Sequence, residues 1–403
     1  MIAAAIVLAC AQVHQPAAPP APANVLVIIA DDLGWSEMPY LASVEEIADR
    51  GVTFDRAYGF PICSPSRYAA LYGRWPRRAD IGDLCGIFAP TTSPAPDFAA
   101  EVSLAEVLTP HYRTALFGKW HIAGGIDAPR WEGFDVYRAG SIDSINKPSG
   151  SGHYDWHRTD DGLVTEHEND YATDEQAQSL LAWWGGSGKF AVVSFSAAHF
   201  PYEEPGGTLR DRYLAGVARM DAAIYAILGE VDWNTTIVVF LSDNGTPNDA
   251  RPNDPAFRWK GTTFEGGINV PLVIGGAGIT ASGTSQRLVS IVDLSATLME
   301  VAGVSAGLGF NDSASFANAL GSWTGTAPRS WVFSERYDAP ADDQAVIEAV
   351  WKLRIYDSDG PGFVPAQTKL YQLPNEAIAL DPASYPADYA RLLGHLQSLP
   401  PRP

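Results

Sequence analysis

The chain has 403 residues and a formal net charge of -20, from 47 acids against 27 bases, a balance that excludes nucleic acid and anionic membrane surfaces as main partners. An apolar fraction of 46% with 12 Trp, 16 Tyr and 16 Phe specifies a globular protein with a large core, and the length exceeds one ordinary domain. Three cysteines, at 10, 63 and 85, make no even disulfide framework, though a Cys63–Cys85 bridge stays open; lysine occurs only six times, so a lysine inside a motif carries information.

In chain order, Met1 to Cys10 is apolar and rich in small residues, and Ala17 to Ala23 is a Pro/Ala stretch that reads as an extended tether. Ten residues cannot cross a bilayer, so no transmembrane segment is predicted there. Val7-Leu8-Ala9-Cys10 is similar to the end of a bacterial lipoprotein signal without its Lys/Arg start, and the reading is export to the periplasm, the medium or a lipid anchor. Residues 1–23 are therefore set apart as a signal and tether.

Val25 to Ala30 is a continuous, largely β-branched apolar run, the pattern of a strand buried on both faces, and it stops at Asp31-Asp32. Ligands of open α/β sheets bind at such strand ends, so the carboxylates read either as metal ligands or as a polar turn. Ser43 to Arg50 reads as a helix, Ser103 to Leu108 as another, and Thr114 to Phe117 as a strand ending in Gly118-Lys119-Trp120-His121. Gly140 to Glu168 lacks periodicity and reads as a long polar loop, whose His153, His157 and His167 are either solvated or ligands. A helix from Asp174 to Trp184, a strand from Phe190 to Phe195 with Ala198-His199-Phe200-Pro201 behind it, a helix from Leu209 to Leu228, and a strand from Thr236 to Leu241 running into Ser242-Asp243-Asn244-Gly245 complete a repeated alternation. Strands alternating with helices predict an α/β fold with a large, mostly parallel mixed sheet flanked by helices. Lys260-Gly261 and Glu265-Gly266-Gly267 lead into a further strand, Val270 to Ile274. Beyond the helix Val292 to Val301, strands near Trp331 to Phe333, Ala349 to Tyr356 and Lys369 to Leu373, with a helical face of Tyr389, Leu392, Leu393 and Leu396, predict a small C-terminal antiparallel sheet and helix. The expected division is 24–320 and 321–403.

The chemistry centres on Pro61-Ile62-Cys63-Ser64-Pro65-Ser66-Arg67. Ser64 as N-cap and Pro65 at the first helical position predict a helix entrance, with Gly73 as its end. Cys63 then sits before a helix N-terminus with Arg67 in the first turn, an anion-attracting spot that should lower the thiol pKa. A lone cysteine can equally be a small buried hydrophobe. A cysteine phosphatase loop is disfavoured, because proline replaces the glycine-rich run of backbone donors.

Cys-x-Pro-x-Arg at 63–67 resembles the signature of the formylglycine-dependent (type I) sulfatases of the alkaline-phosphatase-like superfamily, and the rest of the chain extends the resemblance. Tyr112 to His121 matches the second signature of that family; Asp31-Asp32-Leu33-Gly34, Tyr171-Ala172-Thr173-Asp174, His199-Phe200-Pro201, Ser242 to Gly245, and Lys260-Gly261 with Glu265-Gly266-Gly267 follow in the family's order. The resemblance covers roughly Asn24 to Gly303. It implies hydrolysis of a sulfate monoester, with Cys63 converted by a maturation enzyme to formylglycine, whose hydrate attacks sulfur. It implies one divalent cation, Ca²⁺ before Mg²⁺, held by Asp31, Asp32, Asp243, Asn244 and residue 63 through hard oxygens. It further implies that Arg67 and Lys119 hold the oxyanion, that His199 and Lys260 contact sulfate and protonate the leaving oxygen, and that His121 takes a proton as sulfate departs. The expected substrate is a small-molecule or carbohydrate sulfate ester. Tyr72, His111, Glu37 and Asn269 depart from the family pattern at Thr, Gly, Asp and Arg positions respectively, which bears on subfamily. The alternatives are a phosphonate or phosphate monoester hydrolase on the same fold, or a sulfate-binding homologue without chemistry.

Overall fold

The computed structural model describes residues 23–86, 93–143, 145, 152–252, 259–305, 309–326, 329–337, 342–356 and 367–402. The signal and tether, including Cys10, lie outside the described residues.

The first half contains β1 (Asn24–Ala30), α1 (Ala42–Ala48), β2 (Gly51–Phe54), β3 (Ala57–Tyr58), α2 (Cys63–Tyr72), α3 (Leu104–Leu108), β4 (Arg113–Lys119), α4 (Ala128–Trp131) and β5 (Val136–Ser141). There follow β6 (Asp155–Asp160), β7 (Leu163–Glu168), α5 (Ala172–Trp183), β8 (Lys189–Ser194), α6 (Leu209–Leu228), β9 (Thr236–Ser242), α7 (Glu265–Ile268), β10 (Leu272–Gly276), β11 (Gly283–Ser285), β12 (Val289–Ser290) and α8 (Leu294–Val301). The C-terminal part holds β13 (Trp331–Arg336), β14 (Asp343–Glu348), β15 (Trp351–Tyr356), β16 (Gln367–Gln372), β17 (Asn375–Leu380) and α9 (Pro386–Gln397).

The ten-stranded sheet runs β11-β2-β10-β9-β1-β8-β4-β5-β6-β7. Its centre, β9-β1-β8-β4-β5, is parallel, and β10 and β6 attach antiparallel on either side. Every residue of β1, β8 and β9 is buried, which is why these strands read as unbroken apolar runs rather than alternating ones. Alternate residues of β1 serve two cores: Val25, Val27 and Ile29 join one layer with α2 and α8, and Leu26 and Ile28 join the other with α1 and α6. Because the central strands are parallel, all four of their site-bearing C-terminal ends open on one edge. The antiparallel five-stranded sheet β13 to β17 with α9 forms the C-terminal layer. Lys352, buried on β15, reaches back to Glu265 at 3.0 Å, and Arg77 binds Glu335 through two contacts of 2.7 Å, tying that layer to the large sheet's loops.

Three sequence expectations are corrected. First, α2 begins at Cys63 itself, with the extended residue Ile62 as N-cap; Ser64 cannot cap because its hydroxyl accepts instead from the backbone N–H of Cys85, 3.1 Å away. Gly73 does end the helix, in the left-handed conformation at φ 59. Second, the stretch expected to be a polar loop contains the β6–β7 hairpin. Asp161 and Gly162 turn it with φ of 47 and 87, the geometry of a two-residue Asp-Gly turn. Third, Cys63 and Cys85 are both free thiols, so the bridge left open does not exist.

Candidate active site

The site assembles where β1, β4, β8 and β9 end. Asp31 and Asp32 follow β1, Lys119 ends β4, and Asp243 and Asn244 follow β9; Cys63 heads α2, packed above them. Two glycines make that convergence sterically allowed. Gly118, at φ 93, lies so close to β8 that a Cβ would stand 2.0 Å from the Ser194 carbonyl, and the register slips between Phe117 and Lys119, aiming the lysine inward. Gly245 brings the loop after β9 against Gly266, where a Cβ would meet a carbonyl oxygen at 1.9 Å.

Carboxylates and cations alternate around the Cys63 sulfur. Its Sγ lies 3.5 Å from Asp31 Oδ1, 3.9 Å from Asp32 Oδ1, 3.5 Å from Lys119 Nζ and 3.3 Å from Lys260 Nζ. Lys119 Nζ pairs with Asp31 Oδ2 at 2.5 Å, and Lys260 Nζ with Asp32 Oδ1 at 2.5 Å. Arg67, 2% exposed, does not point at the sulfur: its Nε and Nη2 take Asp243 Oδ2 at 2.9 and 2.8 Å, while Nη1 donates to the Lys119 carbonyl at 3.0 Å. Asp243 Oδ1 accepts from the backbone N–H groups of Asp32 and Asn244 at 3.1 and 2.8 Å. Three carboxylates thus meet three cations.

This arrangement sets the protonation states. Burial alone would raise the Asp31 and Asp32 pKa values, yet Lys119 beside Asp31 and Lys260 beside Asp32, with His199 near both, hold the two carboxyls below their usual range. Lys260, although desolvated, is pushed well above the usual lysine value by Asp32 and its neighbours. The Cys63 thiol moves opposite to the sequence expectation: burial raises its pKa, with Asp243 and Asp31 adding to it, and outweighs the two ammonium groups. His121 is buried, and burial together with Lys119, Arg67 and Lys260 drives its pKa well below the usual value; its two ring nitrogens have no hydrogen-bond partner among the described residues. His199, whose side chain is 19% exposed, has Nε2 3.9 Å from Asp32 Oδ2, and its pKa is lowered by burial and Lys119.

The donor set fits a hard divalent cation. Carboxylate oxygens of Asp31, Asp32 and Asp243 lie within 4.8 Å of one another, around the soft Cys63 sulfur that is not itself a ligand for such an ion, and Asn244 Oδ1 is buried without a hydrogen-bond partner among the described residues while its amide donates to Asp32. Charge repulsion does not by itself demand the ion, because Arg67, Lys119 and Lys260 already balance the acids; the orphaned amide oxygen is the stronger argument.

All sequence-predicted site residues lie at this strand edge, with Arg67 turned toward Asp243 rather than the sulfur. Residues that went unnoticed include Ser194, which takes an Arg67 hydrogen bond, and Tyr213, whose hydroxyl donates to the Asp32 carbonyl at 2.8 Å. Ser194 ends a buried strand, the same signal that found Lys119. Of the three loop histidines, His153 is buried against His199, whereas His157 and His167 lie on the hairpin beside Glu166 and Asp170. Glu37 is buried and paired with Arg210, and Asn269 holds the Trp35 indole at 2.9 Å, so neither reaches the acids.

A mixed α/β sheet thus carries an acid cluster able to hold a metal and a helix-heading cysteine at one edge. The family model Sulfatase matches residues 23–304, and the chain belongs to the sulfatase family. N-acetylgalactosamine-6-sulfatase of Mus musculus is 27% identical over 337 residues, covering 71% of this chain and 63% of that protein, so the chain spans just under two thirds of that relative's length. In fold the chain is similar to Ps i-CgsB, with a TM-score of 0.78 at 20% identity over 94% of this chain and 92% of the other. It is also similar to BT4656, solved in complex with its substrate D-glucosamine-2-N,6-O-disulfate, at a TM-score of 0.69 and 18% identity over 94% and 97% of the two chains.

Proposed function

We propose that this chain is a sulfuric ester hydrolase acting on a sulfate monoester of a carbohydrate or small alcohol. The observation that carries the reading is the placement of Cys63 Sγ between two ammonium groups and two carboxylates at a helix N-terminus, a spot shaped for a tetrahedral oxyanion. Membership of the sulfatase family supports it, and the carbohydrate names of the relatives favour sugar sulfates. Residues 24–320 would form the catalytic unit and 321–403 the C-terminal layer, with the chain exported.

In this reading a maturation enzyme oxidises Cys63 to formylglycine, whose hydrate supplies one hydroxyl to attack sulfur and a second that, on losing its proton, becomes the aldehyde carbonyl as sulfate departs with the first oxygen. Asp31, Asp32, Asp243, Asn244 and residue 63 would hold one divalent cation, Ca²⁺ before Mg²⁺, which when bound draws charge from the sulfate oxygens. Lys119 and Lys260 flank the reacting position and bind the oxyanion. Arg67, locked on Asp243, keeps that carboxylate oriented and adds positive potential. His199, at the partly open side, in its doubly protonated form would donate the Nε2 proton to the departing alcohol oxygen, with Nδ1–H held on the Phe200 carbonyl. His121, kept neutral by burial and cations, accepts the proton that must leave as sulfate is released.

Matured protein should be assayed for sulfate release from 4-nitrophenyl sulfate and sulfated hexosamines, alongside matching phosphate and phosphonate monoesters. We expect kcat/KM to be highest for a sulfate ester. Faster cleavage of a phosphonate or phosphate ester would instead make it a hydrolase of that class, and binding without turnover of any ester would make it a sulfate-binding homologue.

Exhaustive chelation should remove the activity, and added Ca²⁺ or Mg²⁺ should restore it. Since the acids are already balanced by Arg67, Lys119 and Lys260, thermal stability should fall far less than activity. Full turnover in protein shown by elemental analysis to be metal-free would rule out the cation.

A further inference from the structure

We infer that His153 is a positioning residue for His199, holding the main chain of the loop after β8 so that the His199 ring faces the Asp32 side of the site. The inference rests on the proton-donor role proposed for His199. His153 lies in the segment leading into β6, 46 positions before its partner, and its Nε2 is 2.8 Å from the His199 carbonyl oxygen. A carbonyl oxygen only accepts, so Nε2 carries the proton and Nδ1 carries the lone pair. The residue is 2% exposed, and burial keeps the ring neutral, its pKa pushed down to about 4. Nδ1 makes no hydrogen bond among the described residues, so the ring's polar function there is spent on one backbone group.

The prop is itself held firmly. The His153 ring stacks on Tyr171 with centroids 5.0 Å apart and planes 14° from parallel. The Arg219 guanidinium stands 4.0 Å from the centre of the Tyr171 ring and is pinned by Asp174 at 2.6 Å and Glu204 at 2.8 Å. The backbone N–H of His153 donates to Glu203. Residues 195–198 are tied to the end of β1, with the Phe195 and Ala198 N–H groups on the Ile29 and Asp31 carbonyls, and from His199 the chain runs on to α6 outside any strand or helix, so the His153 contact falls where that backbone support ends. At the other end of this chain of contacts, His199 Nδ1 lies 2.5 Å from the Phe200 carbonyl, which turns Nε2 toward Asp32. A loop carbonyl left without its donor would let the ring drift, and a displacement near 1 Å can cost about 100-fold in rate.

The test separates positioning from mere packing by leaving-group dependence. A proton donor matters for an alkyl or sugar sulfate, whose alkoxide leaves poorly, and hardly at all for 4-nitrophenyl sulfate. His153→Phe keeps the ring stack on Tyr171 and removes the donor; His153→Gln keeps a donor of similar reach. With melting temperature as a control, His153→Phe is expected to lower kcat for a sugar sulfate by about tenfold or more while changing kcat for 4-nitrophenyl sulfate by less than about twofold, and His153→Gln to recover most of the loss. His199→Ala should show the same selectivity, more strongly. If His199→Ala slows both substrates alike, the proton-donor role fails and this inference falls with it. If His199→Ala is selective but His153→Phe is not, or if His153→Gln recovers nothing, the positioning role alone is wrong. Should His153→Phe fail to fold, His153→Met, also without a donor, carries the same comparison.

Discussion

Cys63→Ala is expected to give a folded protein that hydrolyses no sulfate ester above background, and activity of the unsubstituted protein is expected to scale with the fraction of residue 63 converted to formylglycine. The thiol is buried, and burial together with the adjacent carboxylates raises its pKa, so an unconverted cysteine stays protonated and is a poor nucleophile at neutral pH. A sulfur nucleophile would also lack the second hydroxyl needed to expel sulfate. The substitution removes one sulfur atom from a tight space and disturbs no ion pair, since Lys119 remains on Asp31 and Lys260 on Asp32. Conversion replaces CH₂SH by CHO, so the peptide containing residue 63 should become about 18 Da lighter. Peptide mass spectrometry read against specific activity decides the matter: equal activity in fully converted and wholly unconverted protein would refute the mechanism and leave a metal-assisted hydrolase that does not use residue 63.

Asp243→Ala is expected to lower stability by about 3–5 kcal/mol, because it strands a buried arginine. Asp243 Oδ2 accepts one hydrogen bond from Nε of Arg67, which is 2% exposed, and forms an ion pair with its Nη2 at 2.8 Å, while its other oxygen accepts from the backbone of Asp32 and Asn244. Removing it leaves a guanidinium without its main counter-charge and two backbone donors without an acceptor, inside a sheet edge that water reaches poorly. Asp243→Asn keeps an acceptor in place and should recover part of the loss. Activity should be absent in both, since both remove a charge proposed to hold the cation. Chemical denaturation of the two variants beside the parent measures the difference, and a loss below about 1 kcal/mol for Asp243→Ala would show that Arg67 finds another partner or water.

How far residues announced this site depended on where they stood in a strand. Asp31, Lys119 and Asp243 were legible because each ends or follows an apolar run, and in a parallel sheet such runs deliver their ends to one edge regardless of loop detail. The C-terminal layer was legible only in part. β14 and β17 were missed because Asp343–Glu348 and Asn375–Leu380 are short and half polar, and they become strands through antiparallel pairing with β13, β15 and β16 rather than through their own pattern. The β6–β7 hairpin was hidden for a similar reason, since Leu163–Glu168 is largely exposed and carries no apolar face, and Asp161-Gly162 was its one local signal.

The sequence alone determined the parallel α/β order and the edge on which the acids and Lys119 gather, because these follow from burial on both strand faces, and the motifs from Asp31 to Gly267 implied the family through their resemblance to it. Only the tertiary structure decided how the charges pair. Lys260 on Asp32, Arg67 on Asp243 rather than on the sulfur, a Cys63 thiol with a raised pKa, and His153 beneath the His199 carbonyl all join residues from 32 to 228 positions apart. Such pairings depend on desolvation and on distances of a few ångströms between loops, quantities that no local pattern encodes.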